Sequence, residues 1–376
     1  MSIRNNNLGS INKPGFNALG AQTSVTTYTY ELWSWGQGSN GKLGLGNTTT
    51  YSSPKQVGAL TTWSAIATCG SSTHAIKTDN TLWGWGANGY GQIGDSTATY
   101  RSSPVQVGGA WATVAKGFSF SLATTPTGTL WSWGRNNSGQ LGLGNVTYYS
   151  NPRQVGALTT WLTIAAGFYH TLAIKTNGTL WSWGNNGDGQ LGLNVATYYS
   201  SPKQVGALTT WSKIAGGAYY TLAIKTDGTL WSWGYNGQGQ LGLGNTTAYS
   251  SPKQVGALTT WSKISSGNAA TIAIKTDGTL WSWGQNPYGQ LGLGNTTYYS
   301  SPKQVGGLTT WLGIAAGRYH TMAAKTDGTL WGWGRNGNGQ LGLGNATHYS
   351  SPKQVGALTT WLNIASGYNV TLALKY

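Results

Sequence analysis

Short apolar runs, separated by Gly-, Asn- and Thr-rich stretches, recur along nearly the whole chain. Within one period these are residues 211–215 (WSKIA), 219–225 (YYTLAIK), 229–233 (TLWSW) and 253–255 (KQV). Each is short and β-compatible, and no useful length carries the 3.6-residue period of a helix. In TLWSW, Trp231 and Trp233 share one face while Leu230 and Ser232 share the other. The Asp227-Gly228 pair between the second and third runs suits a tight hairpin. The pattern predicts four antiparallel strands.

That unit repeats. W-x-W-G begins at Trp33, Trp83, Trp131, Trp181, Trp231, Trp281 and Trp331, spaced by 50 residues except for one interval of 48. A further tryptophan follows at 63, 111, 161, 211, 261, 311 and 361, so the repeat holds all 21 tryptophans. A period near 50 built of short strands predicts an all-β fold, a seven-bladed β-propeller of four-stranded blades. The first strand runs into Ala215, Gly216 and Gly217, small enough for a central channel, and the fourth begins at Pro252. Proline is tolerated at a sheet edge, so each blade should run from the axis outwards. The last copy supplies only strands one and two (361–365, 369–375), and the first only strands three and four (32–36, 54–57). A composite blade from both termini should therefore close the ring and remove its open edges. The expected domains are an extended leader at 1–31, a candidate docking tether, and the propeller at 32–376.

Composition narrows the classes. Hydrophobic residues make up 39% of the chain and aromatics 12%, enough for a core and against disorder. The 59 glycines follow no three-residue period, which excludes collagen. No apolar stretch approaches the ~18 residues of a membrane span, so no membrane insertion is expected. The first residues lack the apolar core of a secretory signal. A single cysteine, Cys69, excludes an intramolecular disulfide framework.

The motif L-W-S-W-G-x-N-x-x-G-Q-L-G-L-G, then P-K-Q-V, then I-A-x-G-x-x-H-T-L-A-I resembles the repeat of the regulator of chromosome condensation (RCC1) family. Gly189, Gln190, Leu191 and Gly192 carry it, as does the run Ala166, Gly167, Phe168, Tyr169, His170, Thr171. The resemblance spans residues 32–376 and implies a seven-bladed propeller. That family includes a nucleotide-exchange factor, ubiquitin ligases and microbial and phage proteins. Its exchange factor carries a wedge insertion that contacts a GTPase, and the 50-residue spacing here leaves no room for one.

Candidate chemistry is sparse. G-x-G-x-x-G occurs at Gly187/Gly189/Gly192, Gly237/Gly239/Gly242 and Gly337/Gly339/Gly342, but strands follow it, not the helix that a dinucleotide needs. The Asn-x-Thr sites at Asn47, Asn145, Asn245, Asn295 and Asn345 read as products of duplication. Four histidines and seven acids, spread around a ring, offer neither a converging metal set nor a paired-carboxylate site. No catalytic residue, metal or cofactor is expected, and the chain reads as not an enzyme. All 21 tryptophans are assigned to the core. Two lysine rings, Lys55/Arg153/Lys203/Lys253/Lys303/Lys353 and Lys77/Lys175/Lys225/Lys275/Lys325/Lys375, read as solvated positions multiplied by symmetry. Much of the +15 net charge is thus dispersed, unlike a nucleic-acid groove, and no specific nucleic-acid binding is expected.

Where copies differ is informative. Differences gather after the first strand and after W-x-W-G, in connections that leave the same side of each blade. The K-T-D-G-T turns and G-A-L-T-T connections leave the other side and hardly vary. Arg135, Tyr169, His170, Tyr219, Tyr220, Tyr235, Arg318, Tyr319, His320 and Arg335 therefore form a candidate partner-binding face. The leading functional expectation is a virion-associated, non-enzymatic interaction module, a capsid decoration or tail appendage that contacts a protein or host surface. It would be located in the virion if phage-encoded. The alternatives are a glycan-binding lectin or adhesin and a GTPase regulator of the RCC1 type.

Overall fold

The computed structural model describes residues 30–376. These form seven four-stranded antiparallel sheets, in the order and number that the repeat predicts. In one blade the strands are Trp211–Gly216, Tyr220–Lys225, Leu230–Gly234 and Tyr249–Gln254. Inner strands contact their counterparts in adjacent blades around the ring, so the chain does run from the axis outwards. The leader falls almost wholly on residues outside those described.

Closure is composite. Tyr51–Gln56, Glu31–Gly36, Val370–Lys375 and Trp361–Ser366 make one sheet in that order. Leu32 pairs with Leu374 and Trp35 with Thr371. Glu31, placed in the leader by sequence, belongs to this sheet and bridges Lys375 at 3.0 Å.

The fourth strand starts earlier than expected, at Tyr249, with Pro252 inside it. Trp231 pairs with Gln254 and Ser232 with Lys253, but Gly234 pairs with Tyr249. Residues 250–252 thus lie in a register shift opposite a single residue, where a proline without N–H costs no ladder bond.

The core lies between blades. The second tryptophan of each W-x-W-G (35, 85, 133, 183, 233, 283 and 333) is fully buried, and the first-strand tryptophans are nearly so. Trp233 donates Nε1–H to the Gln190 carbonyl of the preceding blade at 2.9 Å, and Thr221 donates its hydroxyl to that oxygen at 2.8 Å. The same arrangement recurs at all seven junctions, with Ser121 in the place of threonine once. Two glycines of the G-x-G-x-x-G run have structural reasons. A Cβ on Gly192 (φ +75°) would stand 2.7 Å from the Trp233 indole nitrogen, and one on Gly189 (φ +78°) would stand 2.6 Å from the Ser250 Cα.

Not every tryptophan is core. The first of each W-x-W-G (33, 83, 131, 181, 231, 281, 331) is half-buried. The lysines of the second ring are not free in solvent either. The Lys175 ammonium lies 3.6 Å from the Trp181 ring centre, and Lys225 sits 3.7 Å from that of Trp231. A long aliphatic stem crossing an indole buries apolar area while the cation meets the ring's negative face.

Candidate functional site

The connections after strands one and three do share a face. Buried Asn236 organises the longer one: its Oδ1 accepts from Leu241 N–H at 3.0 Å, and its amide donates to the Asn245 and Thr247 carbonyls. This staple fixes the loop body and leaves positions such as 235 outside it, free to differ between copies.

On that face the divergent side chains build an aromatic wreath around the channel mouth. Phe118 lies 5.3 Å from Phe168, 5.7 Å from Tyr368 and 6.0 Å from Tyr169, ring centre to ring centre. Tyr169 continues to Tyr219 at 6.0 Å. On the other side Arg318 stacks 3.9 Å above Tyr368 and 4.8 Å from Tyr319, which meets Tyr288 at 5.3 Å. Two arginines are held between tyrosines: Arg135 by Tyr90 and Tyr169, and Arg335 by Tyr288 and Tyr319. The Nε atoms of Arg135 and Arg318 are shielded from solvent and find no hydrogen-bond partner among the described residues. Inside the wreath a small cavity of about 110 Å³ is lined by Thr68, Cys69, Lys116, Asn268, Arg318 and Ser366. Burial pushes the Lys116 ammonium down to about 7 and the Cys69 thiol up to about 11, so the thiol stays protonated near neutral pH.

Seven of the ten expected face residues are at least partly accessible: Arg135, Tyr169, Tyr219, Tyr235, Arg318, Tyr319 and Arg335. Three are not, which is a correction. His170, Tyr220 and His320 are fully or almost fully buried between blades. His170 Nε2 meets Thr221 Oγ1 at 3.0 Å, His320 meets Thr371 at 3.0 Å, and the Tyr220 hydroxyl donates to the Ala270 carbonyl at 2.8 Å. Burial holds both of these imidazoles down to about 3. They occupy the first position of the second strand, whose side chain turns into the blade gap. The residue before it turns out to solvent.

Phe118, Phe168, Tyr368, Tyr288 and Tyr90 join the wreath beyond the ten expected face residues. Phe118, Phe168 and Tyr368 stand where Arg318 stands in its copy, so the divergence that selected Arg318 marks them too. Among the described residues, no group of three or more His, Cys, Asp or Glu could hold a metal, and no helix is long and apolar enough to cross a membrane.

The model of the RCC1-like domain matches residues 31–373, every blade of the ring. The chain belongs to the RCC1-like family. The RCC1-like propeller is also similar in fold to Prp20p from Saccharomyces cerevisiae, reported with its binding properties to Gsp1p and histones. The TM-score is 0.84 at 21% identity, over 93% of this chain and 92% of that one. Human WBSCR16 gives 0.83 at 22% identity, over 92% and 98%. Yeast RCC1 (Prp20) bound to Kap60 gives 0.83 at 20% identity, over 99% and 96%. At these identities the likeness shows the fold. No curated protein matches the chain as a relative.

These findings correct two expectations. The reading as not an enzyme is overturned, because the chain belongs to the RCC1-like family, and the family that its repeat resembles includes a nucleotide-exchange factor. Neither comparison supports a phage origin or a place in a virion. The GTPase-regulator alternative is better backed than the leading expectation. The glycan alternative gains nothing from them either.

Proposed function

We propose that the RCC1-like propeller binds a protein partner on its variable face and regulates a GTPase. One observation carries this reading: the wreath of Phe118, Phe168, Tyr169, Tyr219, Tyr319 and Tyr368, with Arg135, Arg318 and Arg335 set into it. Rigid rings give contact area at little rotamer cost, and guanidinium groups already oriented by stacking present donors to carboxylates and carbonyls. The unpartnered Nε–H groups of Arg135 and Arg318 favour a partner rich in acceptors. Support for the partner class comes from the neighbours, since Prp20p is described by its binding to Gsp1p and histones. With no inserted wedge in any 50-residue period, any effect on nucleotide release would have to come from the face itself.

The test is release of a fluorescent guanine nucleotide from Gsp1p with and without the full chain. Accelerated release that disappears in a Tyr219→Ala, Arg318→Ala, Tyr319→Ala variant supports the reading. Neither binding nor acceleration would remove it.

A further inference from the structure

A second feature lies away from the wreath. Between adjacent blades, bounded by the uniform connection on one side and by the tail of the loop after W-x-W-G on the other, lies a repeated cleft. The one formed by Leu143, Leu158, Trp161, Lys175, Trp181 and Pro202 has a volume of about 440 Å³. Three counterparts have volumes of about 410, 390 and 360 Å³. Leu158 at its rim is 48% exposed, an isolated aliphatic group beside a half-buried indole. Trp161 is buried and meets Trp181 edge to face at 6.1 Å, so its ring offers no open surface. The Trp181 ring is capped by the Lys175 ammonium at 3.6 Å. A pyranose needs an uncovered aromatic face, and this cleft does not present one.

The clefts differ in charge. Next to Lys77, Lys225, Lys275 and Lys325 the hairpin turn carries Asp79, Asp227, Asp277 and Asp327, whose charges act on those lysines. Lys375 is paired with Glu31 at 3.0 Å, and Thr125 stands at this position in the remaining blade. At Lys175 the turn residue is Asn177. Its Oδ1 accepts from Thr179 as the aspartates do from theirs, at 3.2 Å from N–H and 2.7 Å from the hydroxyl, without a charge. Of the five lysines of this ring that precede a hairpin turn, Lys175 alone has no aspartate in that turn.

We propose that the Lys175 cleft docks an extended acidic peptide segment of a partner protein, seating an apolar side chain against Leu143 and Leu158 and a carboxylate on Lys175. The charge complementarity is local: the turn keeps its geometry through Asn177 while the nearby negative charge that the other turns carry is missing. This docking uses none of the wreath residues and is independent of them.

The probe is a fluorescein-labelled peptide, Gly-Asp-Phe-Asp-Leu-Gly, titrated with the full chain by polarisation. Companion peptides replace both Asp by Asn, both apolar residues by Ser, or both Asp by Lys. Each of the first two replacements should weaken binding roughly five-fold or more. Because neighbouring clefts add background, the decisive arm is a charge swap. Lys175→Glu should bind the Lys-substituted peptide, which the wild type repels, and Leu158→Ser in the same background should abolish that gain. Leu158 is exposed, so this variant keeps the fold, checked by its melting curve. Nucleotide release should be unchanged in both, which separates failure here from failure of the variable face. No gain with Lys175→Glu, or binding of maltoheptaose that survives Lys175→Gln, would overturn the proposal.

Discussion

The buried histidines make acid stability a sensitive probe of the blade junctions. His170 and His320 are neutral in the folded chain because burial holds their imidazoles at about 3. In the unfolded chain each takes up its proton near 6.5. A base with a depressed folded pKa leaves the unfolded state richer in protons, so its contribution is intact above 6.5 and is lost as pH falls toward 3. At pH 5 the gap is 1.5 units, or about 2 kcal/mol per residue and about 4 kcal/mol for the pair. With an unfolding entropy of about 2.1 cal/mol/K per residue, that is a fall in Tm of roughly 5 °C. His74, fully buried beside Ile93 and held well below its usual value, should add to the loss in the same direction. The chain supplies its own control: Tyr220 fills the equivalent gap and bonds the Ala270 carbonyl at 2.8 Å. A His170→Tyr, His320→Tyr variant should therefore keep the junctions and lose about 4 kcal/mol of the pH dependence. Urea unfolding followed by tryptophan fluorescence at pH 7.5 and pH 5 measures it, above the range where most carboxylates titrate. Equal losses in wild type and variant would refute the reasoning.

Deleting residues 361–376 should destabilise the whole ring, since Glu31–Gly36 would lose Val370–Lys375 as its partner; an unchanged melting curve would refute closure by both termini. Tyr219→Ala, Tyr319→Ala and Arg318→Ala together should leave Tm nearly unaltered while weakening the partner contact, and changes at Lys225 and Asp227 should not weaken it. Gly192→Ala should cost about 1–3 kcal/mol, read from urea midpoints, because it combines φ +75° with a Cβ 2.7 Å from the Trp233 indole. We further propose that residues 1–29 serve as a docking tether; their removal should leave Tm unchanged and reduce incorporation into an assembly, measured by co-purification.

Strand order, blade number and ring closure are legible in the sequence because one tryptophan-marked unit recurs seven times and its ends are half units. Sidedness is legible too, since only one set of connections diverges. The split between Tyr219 and Tyr220 is not. Neighbouring residues of a strand face opposite ways, so a one-residue uncertainty at the strand start exchanges solvent for the blade gap. Nor does a lysine two residues before a turn reveal that it lies across an indole, because that contact depends on the hairpin bringing Lys175 beside Trp181. The wreath depends on loops from blades far apart in sequence: Phe118 meets Tyr368 across 250 positions, a proximity that only the closed ring creates.

At every junction a single carbonyl receives an indole and a hydroxyl from the following blade, always in the same chain direction. Such a junction reads only the neighbouring blade's Trp-and-hydroxyl pair and cannot tell one copy from another. None of these carbonyl junctions therefore counts to seven; the count is held by ring curvature, by contacts across the channel mouth such as Phe118 with Tyr368, and by the two terminal half-blades. A sequence that lost or gained one 50-residue unit would still satisfy this carbonyl junction wherever it formed, and its error in length would surface at the last seam. There the C-terminal strands, unable to reach Glu31–Gly36 in their own chain, would be matched as well by the same strand of another. Interlocked pairs of chains are the expected product of repeat slippage, so the near-identity of the copies makes the seam the place where length errors become assembly errors.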